Sequence, residues 1–174
     1  MPTDSLSCSD GRAASIAPDQ QDRIDAILDE NHVMSLATNR PDGWPQVTPV
    51  NYLHHGGALY FVVARSSQKL ANIQRDGRVS ITMGGAGKSR GRGLSMSARV
   101  TEVVDVGRIA QFNALLWSTP TGAAFSPHPM ENSIAVLMAT PQIISLIDYA
   151  KPPGHVQTFI MAQPAPWPTS SPSL

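Results

Sequence analysis

The spacing of apolar positions along this chain changes from helical to alternating, and each change marks an element. Ile24, Ile27 and Leu28 recur on one helical face, with Pro18 in the opening turn and Asp19 and Asp22 near the positive end of the helix dipole. From His32 the period drops to two. His32 to Asn39 alternates, Arg40-Pro41-Asp42-Gly43-Trp44-Pro45 supplies a tight turn, and Gln46 to Leu53 reads as the returning strand. His54-His55-Gly56-Gly57 turns the chain again into Ala58 to Ala64, which is rich in β-branched and aromatic residues. Strands joined by such short turns form an antiparallel meander.

Ser66 then opens a short helix with Leu70 and Ile73 inward and Gly77 placed to end it. Arg78 to Met83 is a fourth strand. After a basic, glycine-rich loop, Leu94, Met96, Ala98 and Val100 alternate along a fifth strand that ends near Val104. Asp105 is placed to cap a helix carrying Ile109, Phe112 and Leu116. The irregular stretch from Trp117 to Met130 has the length of a binding loop, with Phe125 or His128 as lining, and serves equally well as a connector. Ser133 to Ala139 and Gln142 to Tyr149 read as the last two strands. The sum is a mostly β (α+β) fold, a small barrel of six or seven antiparallel strands with a few short helices.

At 174 residues the chain has the length of one domain. Residues 1–14 read as a flexible leader, 15–160 as the domain and 161–174 as a Pro-rich tail, since neither end has the composition to build a core. Thirteen Lys+Arg balance thirteen Asp+Glu, so no basic field exists to gather nucleic acid. No apolar run reaches the ~20 residues of a membrane span, and the first residues lack the basic and apolar regions of a signal peptide. The expectation is a cytoplasmic protein with no nucleic-acid or membrane partner. Only 15% of residues are charged, against ~25% in an ordinary soluble domain, so something other than charge must cover the surface. The single Cys8 lies in the polar leader, where it reads as an exposed thiol rather than a disulfide or metal ligand.

Gly87-Lys88-Ser89 looks like the end of a phosphate loop, but that motif needs a glycine where Thr82 stands and a helix where a strand pattern follows. Lys88, Arg90 and Arg92 fit better as solvated loop cations, or as cations that lean on an anionic ligand at a subunit edge. His54 and His55 are adjacent in a strand turn, so their side chains diverge, and His128 and His155 have no partner at ligand spacing. No metal site is expected. More informative is Arg65-Ser66-Ser67-Gln68-Lys69, where a strand runs into a helix start with hydroxyls, cations and free amide donors. That is the chemistry a phosphate monoester wants, although a capped helix with an exposed lysine has the same sequence. Pro49, inside a strand pattern, marks an edge or a break.

The run from Ala37 to Val50, then Leu59-Tyr60-Phe61, Arg65 to Lys69, Asn72-Ile73 and Arg78-Val79-Ser80, resembles the pyridoxamine 5′-phosphate oxidase-like family of flavin-binding split barrels. The closing Leu146 to His155 is also similar. The resemblance implies a split β-barrel and a homodimer with two FMN sites at the subunit interface. It places the phosphate-binding segment on Ser67, Gln68 and Lys69, with Arg65 close by. The strand along the isoalloxazine ring falls on Gln46, Val47, Thr48, Pro49, Val50 and Asn51, and Val62 and Val63 match positions that touch the flavin.

Departures narrow the implied activity. True members of the vitamin-phosphate oxidase group begin the ring strand with Arg and end it with Lys, where this chain has Gln46 and Asn51. Their paired Arg and His near the C-terminus are reduced to His155, and a Gln at the start of the long strand is replaced by Gly93. The expectation is therefore an FMN-dependent oxidoreductase acting on an unidentified small molecule, with no side chain assigned as catalytic, rather than an enzyme of vitamin B6 synthesis. A deazaflavin-dependent reductase of the same fold, kept open by the Lys88 to Arg92 loop, and a flavin or haem carrier or sensor are the alternatives.

Overall fold

A computed structural model describes residues 16–85, 91–110, 133–150 and 154–161. The chain forms helix α1 (Pro18–Glu30), strands β1 (Val33–Asn39), β2 (Pro45–Asn51), β3 (Leu53–His55) and β4 (Ala58–Ala64), and helix α2 (Gln68–Arg75). Strands β5 (Arg78–Gly84), β6 (Arg92–Glu102), β7 (Ile134–Asp148) and β8 (His155–Ile160) follow. They make one antiparallel sheet in the order β2-β1-β5-β6-β7-β4-β3, with β8 added beside β7. The sheet curls until β2 touches β4, enclosing the core as a half-barrel. Met34, Leu36, Phe61, Ile81, Leu94 and Leu137 are almost fully buried inside it.

The helical reading of α1 holds: Ile24, Ile27 and Leu28 are buried, Pro18 opens the helix, and the Gln20 side chain accepts from the Ala17 amide at 2.9 Å. Helix α2 starts one residue later than expected, because Ser67 rather than Ser66 is its cap, its Oγ accepting from the Leu70 amide at 3.2 Å. Gly77 follows the helix end, where a Cβ would stand 2.9 Å from the Val100 carbonyl oxygen.

Three strand expectations change. The strand expected over Gln46 to Leu53 breaks at Tyr52, whose ring turns into the core. Its hydroxyl donates to the Leu28 carbonyl at 3.0 Å and lies 3.0 Å from Met83 Sδ, and burial raises its pKa. Tyr52→Phe should therefore cost about 1–2 kcal/mol in urea unfolding, because the buried Leu28 carbonyl loses a donor; a variant as stable as the parent would refute that role. The last two expected strands form a single strand, β7. Pro141 does not end it, because the pairing with β6 skips Gln142 and the bulge absorbs the missing N–H; the Gln142 carbonyl accepts instead from the Met161 amide at 2.9 Å. Strand β8 was not foreseen, its one buried apolar side chain, Phe159, giving too little alternation to read. Eight strands are therefore described where six or seven were expected.

Asp105 caps a helical turn as expected, its carboxylate accepting from the Arg108 amide at 2.8 Å. Phe112, Leu116, Phe125, His128, Lys88, Arg90, Cys8 and the Pro-rich tail lie outside the described residues. No helix among the described residues is long and apolar enough to cross a membrane.

Candidate functional site

The end of β4 and the start of α2 are fixed by backbone bonds. The Arg65 amide donates to the Ser133 carbonyl at 2.8 Å and the Ser67 amide to the Ala64 carbonyl at 3.0 Å, so the chain turns sharply into the helix. Lys69 lies in the first helical turn, half-buried, and burial alone lowers its pKa, with no carboxylate contributing. A desolvated ammonium with no acidic counter-group is an electrostatic demand for an anion. Arg65 is the second cation here, but its guanidinium already meets the Glu102 carboxylate at 2.7 Å. An incoming anion would have to share Arg65 with Glu102, while Lys69 is held by no salt bridge among the described residues.

One turn further along α2, Asn72 is fully buried and joins the helix to the strands. Gln68 Nε2 donates to Asn72 Oδ1 at 2.9 Å, and Asn72 Nδ2 donates to Thr38 Oγ1 and to Gln46 Oε1, each at 3.1 Å. This network couples the first turn of α2 to the start of β2. Its core was hard to read from sequence: Asn72 was noted only within the resemblance, and Thr38 looked like any alternating strand residue. The one available signal was a polar side chain beside the inward Leu70 and Ile73.

Among the described residues strand β2 pairs with β1 alone, as an edge strand. Its register opposite Thr38, Leu36 and Met34 turns Gln46, Thr48 and Val50 inward and leaves Val47, Pro49 and Asn51 on the outer face. Thr48 Oγ1 is buried with no hydrogen-bond partner, an unmet polar group within the predicted ring strand. Val62 and Val63 point to opposite faces. Val63 belongs to the main core, whereas Val62 packs with Tyr60, Val136 and Met138 in a second apolar cluster on the other side of the sheet.

The predicted residues thus divide into a cationic corner at the start of α2 (Ser67, Gln68, Lys69 and Arg65, the last paired with Glu102), an edge strand (Gln46 to Asn51) and a pair of valines split between faces. The Gly93 departure has a steric cause. A Cβ there would stand 2.8 Å from the Met83 carbonyl oxygen, across the close Gly84–Gly93 pair, so any side chain at 93 would push β5 and β6 apart. No group of three His, Cys, Asp or Glu side chains among the described residues could hold a metal ion.

A family model described as pyridoxamine 5′-phosphate oxidase matches residues 20–147. No curated protein matches the chain. Among solved structures, a pyridoxamine 5′-phosphate oxidase-related, FMN-binding protein from Nostoc punctiforme is similar at TM-score 0.60 and 15% identity, covering 86% of this chain and 100% of that one. A heme-binding protein from Mycobacterium smegmatis is similar at TM-score 0.68 and 18% identity, covering 84% of this chain and 60% of that one. An F420 reductase is similar at TM-score 0.55 and 24% identity, covering 70% of this chain and 94% of that one. The fold, the order of its elements and the family match over residues 20–147 agree, and the chain belongs to the pyridoxamine 5′-phosphate oxidase family of split barrels.

Proposed function

We propose that the chain is an FMN-binding flavoprotein that moves hydride or electrons between its flavin and a small molecule. The observation that carries this reading is Lys69, a partly desolvated cation in the first turn of α2 with no acidic partner among the described residues. Beside it the Ser67 hydroxyl and the free amide donors of the helix start offer hydrogen bonds to phosphate oxygens. Thr48 Oγ1, buried and unsatisfied, gives the neighbouring strand a polar group able to meet the ring system. The flavin, when bound, supplies the redox chemistry, and the chain binds, orients and shields it. A true pyridoxamine phosphate oxidase is disfavoured, because Gln46, in the place of the arginine, turns inward to Asn72 and presents no cation to a second phosphate.

The reading includes a homodimer. The outer face of β1, β5 and β6 carries Ser35, Ser80, Thr82, Ser95 and Ser97, exposed, small and uncharged, flanked by exposed Val33 and Val47. Depletion of charge is what the centre of an interface requires. A second reading, a deazaflavin-dependent reductase, draws on the likeness to the F420 reductase and on the basic residues Lys88 to Arg92. A flavin or haem carrier that turns nothing over is the third, and the likeness to the heme-binding protein keeps it in view. The visible spectrum and mass of whatever co-purifies test all three. An oxidised-flavin band with the mass of FMN supports the proposal, whereas a haem or deazaflavin spectrum replaces it.

Lys69 also predicts the pH dependence of binding. Burial holds its pKa below the ordinary lysine range, so the free protein loses this charge earlier than an exposed lysine would. Phosphate favours the ammonium, so affinity is complete at neutral pH and falls as the pH rises through the lowered pKa of Lys69. Lys69→Arg should keep its affinity through that alkaline range, because arginine stays charged. Parallel profiles for parent and variant in an FMN titration would rule Lys69 out as the phosphate cation.

A further inference from the structure

At the opposite end of β4 the structure holds a cavity of about 350 Å³ between α1, the β3–β4 turn and the inner faces of β6 and β7. Its floor is Ile24, Leu28, Leu59, Met96 and Ile144, core side chains each at most 7% exposed. Its rim is polar, with Gln21 and Asp25 from α1 facing His54 and His55 from the turn. The volume lies at the lower end of the ~300–1,000 Å³ range of small-molecule pockets.

The rim is acidic. Asp22, Asp25 and Asp29 follow one another at i, i+3 and i+7 and so share one stripe of α1. Gln21 Nε2 donates to Asp25 Oδ1 at 2.9 Å, and Asp29 Oδ1 lies 2.8 Å from His54 Nε2. Arg23, the one Lys or Arg on α1, reaches Asp148 at 3.2 Å instead. A carboxylate at a mouth that opens onto buried apolar surface selects an occupant by complementarity: an apolar body for the floor and a cationic head for Asp25.

We propose that this cavity is a second binding site that takes a small organic amine, its ammonium at Asp25 and its apolar body against Leu28, Leu59 and Ile144. Seven residues of β4, about 20 Å of strand, separate the β3–β4 turn from the chain around Lys69. The site is therefore distinct from the proposed phosphate corner, and the amine titration is read without FMN present.

The test is an amide NMR titration of the full chain with 2-phenylethylamine hydrochloride, set against the neutral 2-phenylethanol and the anionic phenylacetate. Shifts centred on Leu28, His54, Gly57 and Leu59, with the amine binding at least fivefold tighter than the alcohol and phenylacetate weakest, are the expected result. Asp25→Asn, a change on the rim of α1, should weaken the amine at least fivefold and leave the alcohol unchanged. The proposal is overturned if the shifts are absent or fall elsewhere, if amine and alcohol bind alike, or if Asp25→Asn leaves the amine unaffected.

Discussion

Lys69→Ala is expected to weaken FMN binding at least tenfold, a loss on the order of 1.4 kcal/mol or more. The size of the effect follows from the surroundings of this lysine. Its ammonium is partly desolvated and no carboxylate among the described residues offsets that cost, so a phosphate brought beside it gains an attraction that water screens only in part. Arg65 cannot take over fully, because Glu102 holds it at 2.7 Å. Ser67→Ala should weaken binding by a similar factor through loss of its hydroxyl, and should also cost about 1 kcal/mol of stability, because the same oxygen caps α2. Quenching of flavin fluorescence on titration measures both affinities, with circular dichroism confirming that each variant is folded. Unchanged affinity in Lys69→Ala would move the phosphate elsewhere.

Asn72→Ala is expected to be among the most destabilising single changes in the chain, at about 3 kcal/mol. The side chain has no exposure and makes three hydrogen bonds, so its removal leaves Gln68 Nε2, Thr38 Oγ1 and Gln46 Oε1 without a partner and opens a small void. Thermal unfolding should fall by roughly 6–12 °C for a domain of this size. Thr38→Val removes only one acceptor of the network and should cost clearly less. Because the network joins α2 to β2, Asn72→Ala should also weaken FMN in whatever fraction remains folded, whereas Tyr52→Phe should leave affinity untouched. A stable Asn72→Ala protein with unchanged flavin affinity would show that the network neither supports the fold nor positions the site.

Much of this architecture is legible in the residue pattern, and the failures have identifiable causes. Ile24, Ile27 and Leu28 announce α1 because a helix buries one stripe, and the alternation of Leu94, Met96, Ala98 and Val100 announces β6 because a strand buries one face. What the pattern hides is long-range. Pro141 looks like a terminator, and only the bulge opposite β6 lets β7 run through it. Tyr52 looks like one more strand residue until its hydroxyl finds Leu28, 24 residues earlier in the chain. In the site, the anion-binding corner is visible locally because a helix cap, a hydroxyl and a cation are neighbours in sequence. The pairing of Arg65 with Glu102 and the link from Asn72 to Gln46 join residues far apart in the chain, and no spacing rule reveals them. Val62 and Val63 show how neighbouring strand residues divide between faces, Val63 in the main core and Val62 in the second apolar cluster.

The low charge content also acquires a structural place. The middle of the outer face of β1, β5 and β6 is built from serine and threonine, with the exposed Arg78 and Arg99 at one end, and that middle is the surface assigned above to a second copy of the chain. Neutral overall, the chain still places Lys69 where no carboxylate among the described residues pairs with it.

The most direct test of the central claim compares FMN with riboflavin, which has the same ring system and no phosphate, by fluorescence titration of the purified chain at neutral pH. If the start of α2 is the phosphate site of a flavoprotein, FMN binds with saturable quenching and riboflavin binds at least tenfold more weakly. A chain that ignores FMN, or that binds the two flavins equally, would contradict the account.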